Sequence, residues 1–86
     1  MPEISRFYGI IVRMFYDDHA PPHFHAAYAE HELKVGISPI RVLEGNAPSR
    51  VRSMVLEWAA LHQSELHTDW ERCRRGEPTV AIAPLV

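Results

Sequence analysis

Two periods along the 86 residues predict an α+β fold: a small antiparallel sheet of three to four strands, then one long helix, kinked or straight, and a C-terminal tail or strand. Between Phe7 and Leu43, apolar and β-branched residues come in short runs or alternate with polar ones, with Pro21, Pro22 and Pro39 as breaks. From Pro48 onward they recur every three or four positions. A hydrophobic content of 47% against 23% charged residues fits one small globular domain, 1–86, with no room for a second core.

The first strand is expected over Phe7–Tyr16, an almost unbroken apolar and aromatic run without proline. Alternation would send Tyr8, Ile10, Val12 and Met14 to one face and Phe7, Ile11 and Phe15 to the other, so both faces should be covered. The second face is expected to meet the tail, a second copy or another protein. Asp17–Pro22 is a loop, because its two prolines cannot donate to a ladder. A second strand, His23–Ala29, leads through a Glu30-His31 turn into Glu32–Ser38, where Leu33, Val35 and Ile37 point inward. Ile40–Leu43 is a short fourth strand, closed by Glu44-Gly45-Asn46.

The helical stripe comprises Val51, Met54, Val55, Trp58, Ala59, Leu61, His62 and Leu66. Pro48 suits the first turn, with Asn46 or Ala47 as cap. Arg72, Arg74 and Arg75 suit the negative end of the dipole, Gly76 the left-handed cap, and Pro78 forbids continuation. A straight helix of this extent would be about 40 Å long, longer than a small sheet is wide. Trp70 and Cys73 also drift off the stripe, which predicts a kink between Ser64 and Thr68. Thr79–Val86 forms a final strand or a docked tail.

A net charge of −2 argues against a general nucleic-acid coat protein, which needs a broad basic face. A single cysteine, Cys73, rules out an internal disulfide and a thiolate zinc site. No apolar run approaches the roughly 20 residues that span a bilayer, so no membrane is expected and a cytoplasmic location is.

Chemistry concentrates in Asp17-Asp18-His19-Ala20-Pro21-Pro22-His23-Phe24-His25, which holds three of the six histidines. His23 and His25 are two apart on a strand, so their rings share a face while Phe24 takes the other. With His19 and Asp18 they are the candidate ligands of a divalent transition metal, the one cofactor suggested. The bland alternative has the histidines orient the Pro-Pro turn through loop carbonyls. A cupin site is not expected, since the second histidine motif of that fold is missing. His62 is either a core histidine satisfied by a neighbour such as Tyr8 or Glu65, or a third member of a catalytic set with His23 and His25. Arg13, Arg41 and Tyr8 are the candidate binding residues, with Arg6 as a further cation for phosphoryl oxygens.

The sequence resembles a small bacterial family known only as a domain of unknown function. The resemblance is carried by Ile4-Ser5-Arg6-Phe7-Tyr8-Gly9-Ile10, by Asp18-His19-Ala20-Pro21-Pro22-His23-Phe24-His25-Ala26, by Val42-Leu43-Glu44-Gly45, and by Leu56-Glu57-Trp58-Ala59 with Trp70-Glu71. It implies a protein encoded beside a second small protein, the two being often proposed as a toxin-antitoxin module. Two functions of different class follow. One is a protein-binding component of such a module, paired with its neighbour or with itself. The other is a histidine-dependent hydrolase, above all a ribonuclease acting on RNA, with metal assistance as an option.

Overall fold

The computed structural model describes residues 2–86. Five strands form one antiparallel sheet in the order of the chain: β1 (Glu3–Phe7), β2 (Ile10–Arg13), β3 (His23–Tyr28), β4 (His31–Ile37) and β5 (Ile40–Asn46). Two helices follow, α1 (Ser49–Leu61) and α2 (Gln63–Arg74). No helix among the described residues is long and apolar enough to cross a membrane.

The expected first strand is instead a hairpin. Tyr8 and Gly9 both have positive φ, 51° and 80°, and Phe7 pairs with Ile10 across them, which makes a two-residue turn of the primed kind. The turn resets the alternation. Phe7, Ile10, Val12 and Met14 all reach the core, Tyr8 is exposed, and Ile11 and Phe15 stay half-buried on the second face. An unbroken apolar run hid this turn, with Gly9 as its one local sign. The next turn is Ala29-Glu30, one residue earlier than expected, with Tyr28 opposite His31.

β5 runs on to Asn46, so Glu44 and Gly45 lie inside a strand and do not close one. A register irregularity between Lys34 and Val35 lets seven residues of β5 continue alongside β4. Gly45 sits there at φ +92°, and a Cβ on it would run into the carbonyl of Glu32.

The helical segment is broken, as its length demanded, but at His62, two residues before the expected Ser64–Thr68. His62 leaves helical geometry at φ −122° and ψ 27°, and the Gln63 side-chain amide donates to the Ile37 carbonyl at 2.7 Å. That bond anchors the start of α2 at the end of β4. Pro48 takes the cap position of α1 in place of Asn46 or Ala47, and its carbonyl accepts from the Arg52 N–H at 3.0 Å. At the far end Gly76 has φ +69°, the Gly76 N–H donates to the Cys73 carbonyl and the Glu77 N–H to that of Arg72, a Schellman cap.

Both helices cover one face of the sheet. Trp58 is fully buried between Phe7 and Phe24, with ring centres at 5.4 and 5.6 Å. Its Nε1–H donates to the Ala83 carbonyl at 2.8 Å, and the Ile82 N–H donates to the Ile4 carbonyl on the outer edge of β1. Residues 79–86 are therefore a docked tail that lies along β1 and α1. The tail does not cover the second sheet face, where Ile11, Arg13, Phe15 and Leu43 are half-buried.

Truncation of Trp58 to Ala should cost about 3–5 kcal/mol, through the cavity and the orphaned tail carbonyl. Gly45→Ala should cost about 1–3 kcal/mol, because both φ and the Glu32 carbonyl oppose a Cβ. Gly76→Ala, with nothing within 4 Å of the new Cβ, should cost no more than about 1 kcal/mol. Urea titrations of the three variants check the order; a Gly76 variant weaker than the Gly45 variant would contradict it.

Candidate metal centre

The loop between β2 and β3 is pinned at both ends. The Met14 N–H donates to the Pro2 carbonyl and the Ile37 N–H to the Pro22 carbonyl, each at 3.1 Å. This returns Asp18 over the first residues of β3. Phe24 enters the core beneath Trp58, so alternation places His23 and His25 together on the other face, with ring centres 5.2 Å apart. His23 is only 1% exposed, because the sheet ends there and Trp70 of α2 closes over it at 5.2 Å. His25 is more open and meets the edge of Phe15 at 4.5 Å.

The two rings converge on one atom. Asp18 Oδ2 lies 3.0 Å from His23 Nε2 and 3.0 Å from His25 Nε2. Each ring is held from behind as well: His23 Nδ1 is 2.7 Å from the Pro21 carbonyl oxygen and His25 Nδ1 is 3.2 Å from Glu32 Oε2. Every partner of the two rings is an acceptor, so the contacts admit two arrangements: each ring donates to Asp18 through a protonated Nε2, or both rings donate through Nδ1–H and turn their Nε2 lone pairs, with the Asp18 oxygen, onto one cation.

The donor set fits the second arrangement. Asp18, His23 and His25 offer ligand atoms all within 4.8 Å of one another, and they are the group of this kind among the described residues. Two imidazole nitrogens and one carboxylate suit a divalent transition ion. Nδ1–H bonds to a backbone carbonyl and to a carboxylate are the usual supports that fix the tautomer and aim of metal-binding histidines. Three protein ligands also leave coordination positions free, as in catalytic sites and unlike closed structural ones. Cys73 is not a fourth ligand in this set. Burial pushes its thiol up from the ordinary value, the Asp69 and Asp18 carboxylates push it further, and it lies outside the converging group.

The other candidates fall elsewhere. His19 is exposed and lines an open cavity beside Asp18, outside the converging group. His62 stands at the break between the helices, on the Trp58 side of the sheet, with Nδ1 2.6 Å from Glu65 Oε1 and its ring 5.6 Å from that of Trp58. It meets Glu65, one of the neighbours expected of a core histidine, and lies outside the group formed by Asp18, His23 and His25. Arg13 stands directly opposite His25 on β2, and Arg41 opposite Gly36, which is itself opposite His23. Arg6 is tied to Glu3 by two hydrogen bonds. Tyr8 occupies the β1–β2 turn, beside the Tyr28 end of β3 and away from the triad.

Two supports of the triad were missed. Glu32 sits diagonally across from His25 in the β3–β4 hairpin, a placement that follows from the Ala29-Glu30 turn and is lost with the turn shifted by one. Trp70 on His23 depends on where the helix breaks, which periodicity alone did not locate.

A family model described as a domain of unknown function, DUF4160, matches residues 9–71. The chain belongs to this family. The matched DUF4160 segment contains Asp18, His23 and His25 together with Glu32 and Trp70, while the tail lies beyond it. Neither the comparison with curated proteins nor that with solved structures returned a match.

Glu32→Gln should weaken divalent-metal binding by about 10–100-fold and leave folding intact, since the Glu32 side chain is 62% exposed. Competition against a chromophoric chelator measures it. An unchanged affinity would show that Glu32 does not orient His25.

Proposed function

We propose that this DUF4160 domain is a metal-assisted hydrolase, with Asp18, His23 and His25 holding the ion and RNA as the substrate. One observation carries it: both Nε2 atoms aim at the same carboxylate oxygen while both Nδ1 atoms are held by acceptors. An ion with open positions supplies Lewis-acid chemistry at a phosphoryl oxygen. The chain's own contribution is placement. His23 is locked by burial, His25 by Glu32 and Phe15, and Asp18 by the pinned loop. Arg13, opposite His25 and with no carboxylate within 4 Å among the described residues, supports a phosphodiester substrate as a nearby cation. His62 is not a member of this triad.

A second role rests on a different feature. The half-buried Ile11, Phe15 and Leu43 lie on the sheet face opposite Trp58, beside the triad. This supports a protein-binding component of a toxin-antitoxin-like pair, in which a small partner or a second copy of the chain closes that face and controls access to the site.

Chelation of the purified protein and His25→Ala should each lower ribonuclease activity by on the order of 10²-fold or more, and added divalent metal should restore the chelated protein but not the variant. His25 is chosen because it is partly exposed, whereas His23 is core. Activity that survives both treatments would rule out metal assistance by this triad, and no ribonuclease activity in the unmodified protein would rule out the hydrolase. For the pairing, co-expression with the neighbouring gene product should give a complex that Ile11→Glu disrupts; a complex indifferent to that change would place the interface elsewhere.

A further inference from the structure

The C-terminal end of α2 carries three arginines, and the structure treats them differently. Arg72 Nη1 is bonded to the buried Asp69 at 3.1 Å, and Arg75 is bonded twice to Glu77 at 3.1 Å. Arg74 has no carboxylate within 4 Å among the described residues. It lines an open cavity of about 370 Å³ together with Tyr16, Asp17, Asp18, His19 and Ala20. Asp18 belongs to this cavity and to the triad at once, while His23 and His25 do not line it, so the cavity adjoins the triad through Asp18.

We propose that this cavity is a phosphoryl subsite, in which the Arg74 guanidinium takes the oxygens of a phosphoryl group whose remaining oxygen meets the ion held by Asp18, His23 and His25. The assignment rests on the metal-centre reading above and names the group that the site receives. Arg is suited to this role because its planar fork can give two parallel N–H bonds to a phosphoryl group. Tyr16 and His19, both exposed, also line the cavity and are of types that can donate to an anion. The carboxylates of Asp17 and Asp18 make the metal indispensable. Without it the cavity opposes one guanidinium with two acids and repels an anion; with a divalent ion the local balance becomes positive. Phosphate and metal must therefore bind with positive coupling, each tightening the other by the same factor. The size of the cavity exceeds a single phosphate and leaves space for the group that carries it.

The test uses the full chain, with Co²⁺ binding followed by its visible absorption and inorganic phosphate binding by calorimetry on the metal-free and Co²⁺-loaded protein. Phosphate should bind the loaded protein and not the metal-free one. Arg74→Ala should leave the Co²⁺ titration unchanged and weaken phosphate by about 10–100-fold, Arg74→Lys should recover part of the loss, and Arg75→Ala should have no effect. Uridine 3′-monophosphate should follow the same pattern and bind more tightly than phosphate if the spare volume takes the nucleoside. Normal Co²⁺ binding with phosphate affinity indifferent to Arg74 would overturn the subsite alone. No Co²⁺ binding to the unmodified chain would overturn the metal centre and the subsite with it.

Discussion

The placement of His23 is the constraint on which the rest depends. An imidazole at 1% exposure must have both nitrogens satisfied, and here one meets the Pro21 carbonyl and the other Asp18. Those two contacts fix the conformation of the loop that precedes β3. Trp70 completes the enclosure, so the same ring that orders the loop also seats α2 against the end of the sheet. Loop, sheet and second helix thus share one polar joint. A polar group buried this deeply adds less to stability than it costs when a partner is lost, and it specifies one arrangement of the three elements.

The two sheet faces divide the work. Trp58, Phe7 and Phe24 fill the helix-covered side, and the tail closes it by giving Trp58 an acceptor at Ala83 and β1 a partner at Ile82. The outer edge of β1 is blunted in this way, which protects an otherwise open row of backbone groups. The opposite face keeps the histidines, Arg13 and Lys34 in adjacent register across β2, β3 and β4, with half-buried apolar residues around them. Asp69 shows the same economy on the helix side: its buried Oδ1 accepts from Arg72 and from the Val80 N–H, which ties the tail to α2.

Much of this was legible in the chain. The change from strand to helical period after Pro48, the Gly76 cap and the common face of His23 and His25 all follow from local rules that tertiary packing did not override. The errors have local physical causes too. Tyr8-Gly9 turns the chain inside an apolar run whose one punctuation mark is Gly9, and Tyr8 itself takes a left-handed conformation that β-propensity does not anticipate. The helix breaks at His62 because Gln63 bonds to the end of β4, a contact between residues far apart in sequence. The triad was half legible: strand alternation pairs two histidines, but only the folded loop brings Asp18 onto both Nε2 atoms, and only the register supplies Glu32. His62 read first as a core histidine and second as a ligand, since a helical stripe does not say which sheet face it will meet.

The central claim is that His23 and His25 present free Nε2 lone pairs to one ion shared with Asp18. Long-range ¹H–¹⁵N spectra of the histidine rings, recorded during a Zn²⁺ titration, test it most directly. The account predicts that His23 and His25 both hold their proton on Nδ1, that their two Nε2 resonances move together to metal-ligated values at one equivalent, and that His62 does not respond. Ring resonances of His23 and His25 that stay unchanged through several equivalents, or a response confined to exposed His19 and His31, would contradict it.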